Sequence, residues 1–254
     1  MNRLSSSYGE EKGDGLMKRD ILLLTVCLCI LGGVAWFGKN QVTPAVSTSV
    51  QSSRVLILDA GHGGEDGGAS SAGGDKESDI NLDIVLKLES LMAFLGVDAQ
   101  LTRQDDRSLH SSDAQTIREK KVSDLRNRVA MIDSIPNAFL ISVHQNHFTD
   151  SRYSGAQVFF NGGDISRQWG ECTQSVLREV LDSGNDRKAK PMPDGIYLFE
   201  HIDCPAILVE CGFLSNGEEA SLLLTDAYQR KVALALAGAY FMEMQMIPTV
   251  WRGE

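Results

Sequence analysis

Of 254 residues, 43% are hydrophobic and 24 are glycine, a composition that suits one packed domain with many tight turns and excludes disorder throughout. The formal charge is -10, and beyond Asn40 the chain carries 19 basic against 30 acidic residues. That balance excludes nucleic acid as a partner, because phosphate binding needs clustered Lys and Arg, and it provides no long-range attraction to an anionic polymer.

Residues 1–16 form a polar extension without an apolar pattern. Residues 17–38 hold an uncharged apolar run, ILLLTVCLCILGGVAWF at 21–37, behind Lys18 and Arg19. This layout predicts a membrane anchor or an export signal. The run is short against the usual span of about 20 residues, and Ala45-Val46-Ser47 offers a small-residue cleavage site. A start at Met17 would give the compact leader MKRDILLL. Residues 39–53 are rich in Ser, Thr, Val and Gln and read as a linker, able to reach roughly 50 Å when extended.

From residue 54 to 247 the pattern is that of a folded domain. VLIL at 55–58 predicts a buried strand. Ile80, Ile84, Leu88, Leu91 and Leu95 recur at helical spacing, so 77–95 is a helix with one apolar face. A short strand is expected at 98–101, loop with some helix at 103–121, and helix at 122–132. Further strands are expected at 139–143, 156–160 and 206–209, and further helices near 165–182, 216–224 and 226–245. The alternation predicts a single α/β domain with a twisted, mostly parallel (mixed) sheet and helices on both faces.

In such sheets the ligand site lies beyond the carboxyl ends of the strands. Three strand ends carry unusual residues: VLILD leads into Ala60-Gly61-His62-Gly63-Gly64, FLISV into His144, and AILV into Glu210. If these strands are neighbours, His62, His144 and Glu210 converge. A phosphate loop is excluded, since Asp66 stands where the last glycine of G-x-G-x-x-G belongs and no Gly-Lys-Ser/Thr ending is present. A histidine among glycines suits a metal better, and zinc takes His and carboxylate ligands. Glu77 is available as a third ligand, although taken by itself it reads first as a first-turn carboxylate satisfying the helix dipole. His147 is offset oddly from His144 and should face away, while His110 and His201 sit in polar loops as reserves. Cys172, Cys204 and Cys211 are read as buried free thiols, since Ala206–Val209 is a straight strand between two of them.

The blocks LDAGHGGEDGGA (58–69), KESDINL (76–82), ISVHQNHF (141–148) and PAILVECGFLSN (205–216) resemble, in order and separation, the motifs of the type 3 zinc-dependent N-acetylmuramoyl-L-alanine amidases. The resemblance runs from about Arg54 to residue 245. It implies Zn2+ as cofactor with His62, Glu77 and His144 as ligands, Glu210 as the catalytic residue, and peptidoglycan as substrate. His147 stands where the family often has a small residue, a departure bearing on substrate fit. A leader, one catalytic domain and no wall-binding repeats make the chain similar to the short amidases of sporulation and germination that act on spore cortex.

The implied reaction is metal-assisted hydrolysis of the bond between the lactyl group of N-acetylmuramic acid and L-alanine, outside the cytoplasm. Glu210 takes a proton from water and passes it to the departing amine. Cys211 has no base beside it and is read as strand-end packing. Rival readings are a non-catalytic wall-binding or regulatory relative and a zinc peptidase or deacetylase acting on another bond. The acidic domain is expected to need membrane tethering or an activating protein partner to work at the wall.

Overall fold

A computed structural model of the chain describes residues 54–246. The extension, apolar run and linker predicted over 1–53 lie outside the described residues, and among those described no helix is long and apolar enough to cross a membrane.

Six strands, β1 (Val55–Ala60), β2 (Gln100–Leu101), β3 (Ala138–Asn146), β4 (Gln157–Phe160), β5 (Lys190–Pro191) and β6 (Ala206–Phe213), form one sheet in the order β2-β1-β3-β6-β4-β5. The first four in that order are mutually parallel, while β4 runs antiparallel to β6 and carries β5 parallel to itself. The helices are α1 (Glu77–Phe94), α2 (Ile117–Asp133), α3 (Asp164–Leu181), α4 (Tyr197–His201), α5 (Gly217–Leu223) and α6 (Asp226–Met246). The sheet is therefore mostly parallel and mixed, as expected.

The period-two alternation of strands decides which residues meet which helices. Leu56, Leu58, Phe139, Ile141, Val143, Ile207, Val209 and Cys211 join one buried cluster with Ile84 and Leu88 of α1, Trp169 of α3 and Leu236 of α6. The opposite positions, Ile57, Leu140, Ala206 and Leu208, pack with Ile132 of α2 and with Leu198 and Phe199 of α4. Each fully buried Leu or Ile side chain contributes about 1.5–3 kcal/mol relative to exposure. Continuing that second alternation places Asp59, Ser142, His144 and Glu210 on the α2 and α4 side, at the carboxyl ends of the three central strands.

Three elements depart from the sequence expectation, among them the two-residue β5, which no apolar run announced. Helix α2 begins at Ile117 rather than near 122, because Thr116 and Glu119 form a reciprocal capping box. The charged run Arg118 to Lys121 masks any apolar period there. Short α4 follows Asp194-Gly195, where Gly195 takes φ 87°, a turn that leucine or valine would resist. Of the three described thiols, all free, only Cys211 is fully buried, and Cys172 and Cys204 are half-buried.

Candidate metal centre and active site

The first histidine is presented by a bent loop. Beyond β1, His62 adopts φ 64° and Gly63 and Gly64 follow with φ 130° and 62°, so three successive residues sit at positive φ. A non-glycine residue there is strained unless its surroundings enforce it. Two buried guanidinium groups supply that enforcement. Arg103 donates through Nε to Ala60 O at 2.9 Å and through Nη2 to Gly61 O at 3.1 Å and Ser78 O at 2.8 Å. Arg128 donates through Nη1 to Ala60 O at 3.0 Å and through Nη2 to His62 O at 2.7 Å.

Arg128 in turn is paired. It meets Asp124 one helical turn before it, Nε to Oδ2 at 2.7 Å, and Asp59 Oδ1 through Nη1. Asp59 also accepts from Ser142 Oγ at 2.6 Å and Thr102 Oγ1 at 2.7 Å. Burial alone would raise this carboxyl, but Arg128 and the two hydroxyls outweigh it and hold Asp59 down at about 2. The underside of the site is thus a satisfied ionic network, which a buried charge requires.

Above it, Glu77 and two imidazoles meet. Glu77 Oε1 lies 2.9 Å from His144 Nδ1 and 3.3 Å from His62 Nε2, and the imidazole rings stand edge to face at 5.0 Å between centroids. Glu77 is fixed by Ala69 N to Oε2 at 2.9 Å and Gln145 N to Oε1 at 3.1 Å. Asp66 Oδ2 holds His62 Nδ1 at 3.0 Å, leaving Nε2 to face Glu77 and fixing the ring's orientation. Desolvation opposes protonation of His62, yet the bonds to Asp66 and Glu77 prevail and push it up to about 9. Desolvation would likewise raise Glu77, but His144 and His62 hold it far below the usual carboxylate range. Close packing requires glycine at two places: a Cβ on Gly61 would stand 2.2 Å from the His144 ring, and one on Gly68 2.5 Å from Glu77 Oε2.

Glu210 sits on β6 in register with His144 on β3. The residue is half-buried, but its Oε2 is shut off from solvent without a hydrogen-bond partner. Desolvation pushes the carboxyl up to about 7, against the opposing pull of His144. It opens onto a cleft of about 350 Å³ shared with His62 and His144. Leu125, Ile196, Leu198, Phe199 and Leu208 form the cleft's apolar wall.

The four residues expected from the sequence are therefore brought together. His62, Glu77 and His144 can each offer one ligand atom, all within 4.8 Å of one another, and theirs is the metal-capable cluster among the described residues. Two imidazoles and one carboxylate match the donor set of three-ligand catalytic sites. His147 is exposed past the end of β3, and His110 and His201 stay outside the cluster. Cys211 is buried in the core, its thiol raised by desolvation, consistent with packing. Sequence reasoning missed Asp59, Asp66, Arg103 and Arg128. Only the i, i+4 spacing of Asp124 with Arg128 and of His62 with Asp66 offered a signal.

Such a triad beside a buried carboxyl raised towards neutrality, at the carboxyl ends of the central strands of an α/β sheet, is the kind of site found in hydrolases, built on a cluster able to hold a metal. Residues 56–240 match the family described as N-acetylmuramoyl-L-alanine amidase, and the chain belongs to that family. It is 36% identical over 187 residues to the germination-specific N-acetylmuramoyl-L-alanine amidase of Bacillus subtilis, covering 73% of this chain and 77% of that protein. It is 27% identical to the Escherichia coli amidase AmiA, over 72% of this chain and 74% of that protein. Among solved structures it is similar to the CwlD amidase of Clostridioides difficile in complex with the GerS lipoprotein, with TM-score 0.74 and 39% identity, over 76% of this chain and 100% of the other.

Proposed function

We propose that the protein is a zinc-dependent amidase that cleaves the bond between the lactyl group of N-acetylmuramic acid and L-alanine in peptidoglycan, with a role in spore cortex. The observation that carries this reading is the pairing, across β3 and β6, of a His, Glu, His cluster with a buried carboxyl raised to about 7. Family membership supports the bond cleaved, and the likeness to a germination-specific relative supports the cortex role.

In this reading His62 and His144 through ring nitrogens and Glu77 through a carboxylate oxygen hold zinc. A zinc ion so held supplies Lewis-acid polarisation and lowers the pKa of water towards about 7. Asp66 keeps the His62 ring aimed, and Arg103 and Arg128 keep its loop from relaxing. Glu210 accepts the proton of the attacking water and returns it to the departing alanine nitrogen, a role for which an acid titrating near neutrality is suited. The apolar wall excludes bulk water and seats the small methyl groups on either side of the scissile amide.

Residues 17–38 serve as anchor or export signal and 39–53 as a tether, so that the domain at 54–247 works outside the cytoplasm. An acidic domain relying on its cleft for substrate gains from a partner that brings it to the wall. The solved complex of the related CwlD amidase with a lipoprotein supports a protein partner for this chain as well.

The test is mass spectrometry of purified peptidoglycan treated with enzyme. Free stem peptides with a new L-alanine amino terminus and intact glycan are expected, activity should vanish on chelation, and zinc should restore it. New reducing sugar ends, cleavage at another bond, or full activity without metal would overturn the reading.

A further inference from the structure

The cleft-facing stripe of α2 reads Lys121, Asp124, Leu125 and Arg128, at i, i+3, i+4 and i+7. Two of these positions are committed inside the fold, since Arg128 is buried against Asp59 and Asp124. Leu125 belongs to the apolar wall. Lys121 stands apart: its side chain is 55% exposed at the mouth, and its Nζ lies 3.3 Å from Asp66 Oδ2. Asp66 already holds His62 at 3.0 Å and Gly68 N at 3.2 Å, so the longer, solvated contact to Lys121 is the one it can release cheaply. The neighbouring Lys120 is different, being held by both oxygens of Glu65 at 2.6 and 2.8 Å.

Deeper in the cleft an anion meets no basic side chain that is free to bind it. Asp59, Asp66, Asp124 and Glu210 all line it, and the guanidinium of Arg128 is spent on two of them. A substrate carrying a carboxylate near the scissile amide needs a cation at the mouth, and Lys121 is the exposed one lining the cleft.

We propose that Lys121 is a specificity residue: it turns from Asp66 to bind a free carboxylate on the residue that follows L-alanine in the stem peptide. The inference rests on the amidase reading and adds the chemical class of stem that the site selects. The long, flexible side chain can swing outward while the apolar wall holds the alanyl methyl. Asp66 keeps its bond to His62 throughout, so the exchange leaves the histidine aimed.

The test compares two muropeptides, one with a free α-carboxylate on the second stem residue and one with a carboxamide there, cleaved by the zinc-loaded full chain. An exposed ion pair is worth up to about 1 kcal/mol, or about fivefold, so the wild type should favour the carboxylate in kcat/KM by about that factor, through KM. Lys121→Gln should bring the ratio to about one, Lys121→Glu should invert it, and Lys121→Arg should keep it. Lys120→Gln, which removes the same charge one residue away, should leave the ratio as it was. Zinc content measured on each variant separates loss of preference from damage to the metal site. A wild-type ratio near one, a ratio unchanged in Lys121→Gln, or an equal drop with Lys120→Gln would overturn the inference alone. Failure of the wild type to cleave either muropeptide would overturn the amidase reading, and this inference with it.

Discussion

Replacing Glu210 by Gln should make the metal-free protein more stable at pH 8 while removing its activity. The carboxyl rises from its ordinary 4.5 to about 7 because Oε2 is buried without a partner. A folded state that holds a proton more tightly than the unfolded chain loses stability as pH climbs from the unfolded pKa to the folded one. The window is therefore about 4.5 to 7, and above it the ionised carboxylate costs about 3 kcal/mol, at about 1.4 kcal/mol per tenfold change in proton affinity. Because one edge of the residue still meets the cleft, this is an upper bound. Gln keeps the shape and carries no charge, so the variant should escape that loss. Urea unfolding of chelator-treated wild type and Glu210→Gln should give similar stabilities at pH 4.5 and a variant advantage approaching 3 kcal/mol at pH 8. With zinc restored, the variant should retain the metal and lose about 10²- to 10⁴-fold in kcat, the usual contribution of a positioned general base. Equal stabilities at pH 8 would refute the desolvation argument, and unchanged kcat would remove Glu210 from the reaction.

Zinc uptake should release protons, because His62 holds one up to about 9 in the absence of metal; affinity measured by chelator competition should rise with pH from 7 to 9 and level off above. Gly61→Ala places a Cβ 2.2 Å from the His144 ring without demanding positive φ, so the ring must move; zinc affinity should fall by about 10- to 100-fold and the metal-free protein should lose about 1–3 kcal/mol of stability. A variant with native affinity would show that the ring has room to move. Arg128→Met should cost about 3–5 kcal/mol, and adding Asp59→Asn should recover only the part due to the stranded Asp59 charge, since the bonds to Asp124 and His62 O stay lost. If the double variant is no more stable than the single one, the pair is not the unit that matters.

How much of this was legible in the sequence depended on periodicity. The central strands announced themselves as apolar runs because both faces are covered, and α1 by its regular Ile and Leu spacing. Glycine clusters and strand ends then located His62, His144 and Glu210 without any knowledge of register. Helix α2 was read only in part, since its first turn is charged and its cleft-facing stripe mixes Lys, Asp, Leu and Arg, a pattern that looks like a solvated face. Strand β4 was expected from the run at 156–160, whereas β5 has only two exposed residues at the sheet's edge and carries no period. The ionic underside was invisible for a different reason. Asp59 and Arg128 are 69 residues apart, and only tertiary contact reveals that one neutralises the other.

That underside also explains why the site tolerates a histidine at φ 64°. The carbonyls of Ala60, Gly61 and His62 are all claimed by the two arginines, so relaxing the loop means giving up hydrogen bonds to buried charged donors, each worth about 1.5–3 kcal/mol. Stability and the placing of the His62 ring are therefore carried by the same atoms below the histidine, whereas Glu210 lies on a separate strand with an unpartnered oxygen and contributes no such support. Substitutions in the arginine network should move unfolding free energy and zinc affinity together. Substitutions at Glu210 should move them apart, raising stability as catalysis falls. The two sets of variants, measured side by side, distinguish a scaffold that aims a metal ligand from a carboxyl retained for chemistry despite its cost to the fold.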